Sequence, residues 1–166
     1  MSGSANPKLS PYEEQILANV REHGCHITCV LDPDELDPPF AYSTGFVESV
    51  GQPEVILFGL PKDVMHYAIN ATLDQCRAGL KLEEGTRVEN VLEGYALVVR
   101  KVRPENIVID YLNSAMWHHR LRSGAPLEEV VQLVWPGVTT NLYPWDRDCP
   151  PEVRDAQPAL YETRLH

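Results

Sequence analysis

Cys25, His26 and Cys29, with His23 just ahead of them, are residue types that bind zinc, gathered in one short stretch. Their spacing argues against that chemistry. The segment CHITCVL carries the β-branched Ile27, Thr28 and Val30 and reads as a strand. On a strand Cys25 and Cys29 share a face but lie about 13 Å apart, at roughly 3.3 Å per residue, and His26 points the other way. Zinc needs its ligands at about 2.0–2.3 Å from one ion, and no CxxC pair occurs. His118 and His119 are neighbours on an expected helix and do not converge on one ion. No metal site is expected. A nucleophile elbow, a P-loop and a GxGxxG turn are all absent, so no catalytic residue is assigned.

The stretch FAYSTGF, residues 40–46, offers different chemistry. On a strand Phe40, Tyr42, Thr44 and Phe46 face one way, and Ala41, Ser43 and Gly45 the other. The small face lets a helix pack closely, or lets a planar ligand lie against the backbone with Ser43 as hydrogen-bond donor. In LYPWD, Trp145 supplies an aromatic wall with Asp146 beside it, and VVQLVW adds Gln132 and Trp135. The expected ligand-binding set is Tyr42, Ser43, Thr44, Gln132, Trp135, Trp145 and Asp146. Buried glutamines need partners, so Gln132 and Gln157 serve equally well as ties for the C-terminal segment.

The elements that position these residues follow from local signals. Ser10, Pro11 and Glu13 form a capping box opening a helix that Gly24 closes. CHITCVL and FAYSTGF are strands flanking the acidic loop DPDELDPP. VGQP is a turn, and EVILFGL is apolar on both alternating sets, which marks a strand covered on both faces. Pro61 begins a helix with Met65, Ile69, Leu73 and Cys76 on one stripe. TRVENVLEGYALVVRKV is a hairpin turning near Glu93-Gly94. A short strand over Asn106–Ile109 precedes a helix capped by Asp110 and ended near Gly124, and VVQLVW is another strand. The predicted fold is α+β: a mostly antiparallel, strongly curved sheet or split β-barrel with three helices. Residues 1–9 read as a disordered tail and 10–166 as one globular domain. Within it, 135–166 form an irregular wrap rich in proline and aromatics.

The chain has 166 residues and a formal charge of −10, from 14 basic and 24 acidic residues. That balance disfavours nucleic acid and anionic membrane as partners. No apolar run is long enough to span a bilayer and no signal peptide opens the chain, so a cytoplasmic setting is expected. The four cysteines then read as reduced thiols.

The order EHG, FAYSTGF, QPEVILFGLP, QLVWPG, YPWD, QPAL resembles the bacterial DUF-4262 family, a domain of unknown function, from about Glu22 to Leu160. The resemblance rests on Tyr42 to Gly45, Pro53-Glu54, Trp135-Pro136, Pro144-Trp145 and Gln157-Pro158. It implies a small stand-alone bacterial domain and no activity. Residues 26–78 are also similar in order to flavin-reductase split barrels, which hold a flavin phosphate with basic side chains. No Lys or Arg lies between Arg21 and Lys62, which disfavours flavin and leaves the cofactor unknown.

Two functions follow. The first is the binding of a small planar ligand in a split-barrel pocket. The alternative is a protein-interaction module, such as an immunity protein or antitoxin inhibiting a toxin, motivated by the charge and by the acidic loop Asp32–Asp37. A homodimer is compatible with either. Whether the chain is an enzyme is left open; Tyr42 or His26 as an acid–base group would need a second polar group within reach.

Overall fold

The computed structural model describes residues 8–163; most of the expected N-terminal tail, through residue 7, lies outside them. Helix α1 (Pro11–His23) starts on the Ser10/Glu13 capping box and ends on left-handed Gly24, as its local sequence dictates. Strands β1 (His26–Val30), β2 (Phe40–Thr44) and β3 (Glu54–Phe58) are joined by the acidic loop and by α2 (Phe46–Val50). Helix α3 (Lys62–Arg77) leads to the hairpin of β4 (Arg87–Leu92) and β5 (Tyr95–Lys101). Then come α4 (Ile109–Ser123), β6 (Val130–Val134) and α5 (Pro151–Asp155).

The class is α+β, but the barrel is corrected. Among the described residues one six-stranded mixed sheet runs in the order β1-β2-β3-β6-β5-β4, open and without strong curvature, and five α-helices accompany it rather than three. The β3–β6 pair is parallel and the other neighbours are antiparallel. The physical reason lies in β3, whose five residues are all buried. A strand apolar on both sides needs a layer on each side, and an open sheet between helices supplies two such layers.

One layer is α3, whose Met65, Ala68, Ile69 and Leu73 pack with Ala41, Val55, Leu57, Leu97, Val99 and Leu133. On the other face Leu112 and Ala115 of α4 meet Phe40, Tyr42, Ile56 and Phe58. Farther along that face Tyr143 and Tyr161 cover Val98 and Val134.

Three local expectations also change. FAYSTGF is not a strand throughout: it ends at Thr44, and Gly45 at φ 109° turns the chain so that Phe46 opens α2 and joins Ala41 on the α3 side. A Cβ at Gly45 would lie 2.9 Å from both Val20 methyl carbons, so the turn requires glycine. The expected strand near Asn106 is a 3-10 turn, Pro104–Asn106, and α4 begins at Ile109 with no side-chain cap from Asp110.

Candidate functional site

The small face of β2 is closed. Ala41 packs against α3, and Ser43, on the same side by alternation, is fully buried. The Ser43 hydroxyl donates to Glu54 Oε1 at 2.7 Å and accepts the Val55 N–H at 2.9 Å. Glu54 is buried at the start of β3, and its carboxylate faces the turn after β2. The N–H groups of Gly45 and Val47 donate to Oε2 at 3.0 and 3.3 Å, and that of Phe46 to Oε1 at 3.0 Å. These are the donors that the first turn of α2 leaves without intrahelical partners. Burial pushes the Glu54 carboxyl up to about 7, against the pull of the Ser43 hydroxyl and the three backbone donors. This arrangement locks a turn.

The other expected residues are placed apart. The Tyr42 hydroxyl accepts the Ser114 N–H at 3.0 Å beneath α4, and Thr44 is buried on the same face. Gln132 holds the C-terminal segment: Nε2 donates to the Pro158 carbonyl and Oε1 accepts from the Leu160 N–H. Gln157 returns the favour, accepting the Trp135 N–H and donating to the Trp135 and Val153 carbonyls. The Trp135 indole donates to the Phe58 carbonyl at 2.7 Å. Trp145, 40% exposed, stacks on Tyr143 with Arg100 over its ring at 4.5 Å. Asp146 caps its own turn by accepting the Tyr143 N–H. The structure does not bring these seven side chains to one cavity.

Among the described residues no three His, Cys, Asp or Glu side chains are grouped to hold a metal ion. Burial raises the Cys25 thiol to about 12 and Cys76 to about 11, which suits packed thiols. No helix of the described chain is long and apolar enough to cross a membrane.

A different site emerges where the acidic loop meets α5. Leu31, Leu36, Pro38, Pro39, Gly59 and Ala156 give an open cleft of about 760 Å³ an apolar lining. Asp32, Glu35, Asp37, Glu152 and Asp155 supply carboxylates, and among the described residues no Lys or Arg lines it. The loop is held in shape by its own first acid. Asp32 accepts the N–H groups of Asp34, Asp37 and Leu36 at 3.0–3.1 Å, and these bonds hold its carboxyl below the ordinary range. That frame leaves Leu36 82% exposed at the tip. Gly59, at φ 80°, brings β3 against α5: a Cβ there would meet the Ala156 carbonyl at 2.6 Å.

Sequence reasoning singled out the acidic loop but missed its partner α5 and the role of Glu54. The signals were a Pro-Pro-Glu start for α5 and a lone acid heading an otherwise apolar strand.

Comparison with known proteins adds one match. The family model described as Domain of unknown function (DUF4262) matches residues 19–150. No curated protein and no solved structure matches the chain significantly.

Proposed function

The chain belongs to the DUF4262 family, and for it we propose a binding role in which the acidic, leucine-tipped cleft takes a basic, partly apolar segment of a protein partner. The observation that carries this is the preorganised loop 32–37, with Leu36 held out by the Asp32 carboxylate amid carboxylates of the loop and α5. A loop backbone already held in shape loses little conformational freedom on binding, so it presents Leu36 to a partner at low entropic cost. The ring of carboxylates and the net charge of −10 attract a cationic partner from a distance and orient it. An immunity protein or antitoxin acting on a basic toxin is the specific form of this role that the surface fits.

Affinity capture from the native host, with cross-linking to locate the contact, tests the reading. The comparison variant combines Glu35→Gln, Asp37→Asn, Glu152→Gln and Asp155→Asn. Asp32 is retained because it holds the loop together. The expected partner binds through a Lys- or Arg-rich segment. The neutral variant is expected to bind at least about tenfold more weakly, chiefly through slower association. Leu36→Asp is expected to lose about 2 kcal/mol, or roughly thirtyfold in affinity. Undiminished binding by both variants would remove the cleft from the function.

A further inference from the structure

Four buried side-chain nitrogen or oxygen atoms have no hydrogen-bond partner among the described residues, and three of them lie on one side of the sheet: His26 Nε2, Thr44 Oγ1 and His118 Nε2. Their residues are 8%, 0% and 3% exposed. His26 and Thr44 are paired directly across β1 and β2. Their side chains therefore share a face, and by alternation it is the face of Tyr42. Helix α4 covers that face. Its Ser114 N–H donates to the Tyr42 hydroxyl at 3.0 Å, and two turns on Arg122 Nε donates to Glu48 Oε1 of α2 at 2.7 Å. Thr44 lies between Tyr42 and Glu48 in the chain. His118 lies midway between Ser114 and Arg122, four residues from each and on the same side of the helix. The break in α4 at Leu112 precedes this stretch. His118 is thus set over Thr44, beside His26.

A polar group buried without a partner costs free energy, and three gathered together call for a common one. The groups define its chemistry. Asn19 Oδ1 accepts from the Gln15 amide at 2.9 Å, so Asn19 Nδ2 donates to His26 Nδ1 at 2.9 Å. The proton of the neutral ring then sits on Nε2, which offers a donor. The Thr44 hydroxyl both donates and accepts. Glu48 and Arg122, whose charges reach His118, are paired with each other, so a charged guest would be buried without a counter-ion. Between α1 and α4 lies an open cleft of about 120 Å³, lined by Tyr12, Glu13, Ile16, Asn113, Ser114 and Trp117. At about 30 Å³ per water it admits only a few non-hydrogen atoms. Tyr12 joins the cleft to the buried groups. Its hydroxyl bonds Ser114 Oγ at 3.1 Å, and its ring meets that of His26 edge-on at 5.7 Å.

We infer that His26, Thr44 and His118 form a buried binding site for a small uncharged molecule with an oxygen acceptor, water or a compact organic amide or alcohol, admitted between α1 and α4. The site is separate from the acidic cleft, which none of these residues lines.

NMR of the isotope-labelled full chain tests it, with water and formamide as the probes. A saturable shift of the His26 and His118 imidazole signals on adding formamide, with the exposed His66 unmoved, identifies an organic guest. A cross-peak from long-lived water to the His26 Nε2 proton, without that shift, identifies water. Either result supports the site, and the lack of both overturns it. Thr44→Val gives a second readout. If the hydroxyl holds a guest, its removal is expected to lower the melting temperature by about 3 °C. If the hydroxyl is buried with no partner, valine relieves it. A Thr44→Val chain that melts at or above the wild-type temperature therefore overturns the inference as well.

Discussion

Glu54→Ala is expected to lower the stability of the fold by about 4 kcal/mol, because it strips the acceptor from several buried donors at once. The N–H groups of Gly45, Phe46 and Val47 and the Ser43 hydroxyl all end on this one carboxylate. Helix α2 has five residues and no other side-chain cap, so it has little means of holding its first turn without Glu54. The same side chain gives a pH signature. Its folded pKa is raised from 4.5 to about 7, so the folded state keeps a proton that the unfolded chain has released. The resulting contribution is fully present below about pH 4.5 and is lost as pH rises to about 7, a change of about 3 kcal/mol. His26 and His118 act in the opposite sense. Burial lowers both, and they cost stability as pH falls below their ordinary 6.5. Urea unfolding of wild type and Glu54→Gln at matched pH cancels the histidines. The stability advantage of the wild type is expected to shrink across pH 4.5–7. An advantage that stays constant would mean that the four donors keep the carboxylate ionised throughout.

The second large effect is expected at Gln157. Its side-chain amide pairs with both backbone groups of Trp135 and with the Val153 carbonyl, linking the end of β6 to α5 from within a buried position. Gln157→Ala leaves these groups without partners and is expected to cost about 3 kcal/mol. The loss is expected to be local as well as global. Hydrogen exchange at the Trp135 amide and through α5 rises first, and the α5 side of the acidic cleft, Glu152 and Asp155, loosens with it. Gln132→Ala serves as the contrast. It releases Pro158 and Leu160 but leaves the Gln157 clasp on Val153 in place. Equal exchange at Trp135 in wild type and Gln157→Ala would show that water or another group replaces the amide at little cost.

Features written in nearby residues were legible. The Ser10/Glu13 box, the apolar stripe of α3 and the doubly apolar β3 each depend on spacing within one element, and each stands as read. The sheet was not legible as an open one. Strand β6 enters between β3 and β5, a pairing between segments far apart in the chain that no local period records. Helices α2 and α5 have five residues each, too few for a helical stripe to show. The Ser43 and Tyr42 hydroxyls of FAYSTGF read as ligand contacts, yet their spatial partners are Glu54 and the Ser114 amide, which belong to other elements. The acidic loop was visible as charge. That Asp32 serves as its brace, leaving Glu35 and Asp37 free, depended on a loop conformation with Glu35 at φ 55°.

The acidic cleft is tested most directly by NMR titration of the full chain with a synthetic peptide of alternating lysine and leucine. The amides of Leu31, Asp32, Glu35, Leu36, Asp37, Glu152, Asp155 and Ala156, with Gly59, are expected to shift together, and affinity is expected to fall as salt screens the carboxylates. A peptide of alternating glutamate and leucine is expected to leave them unmoved. Shifts confined to other surfaces, or equal binding of the two peptides, would contradict a cleft built to hold a basic segment.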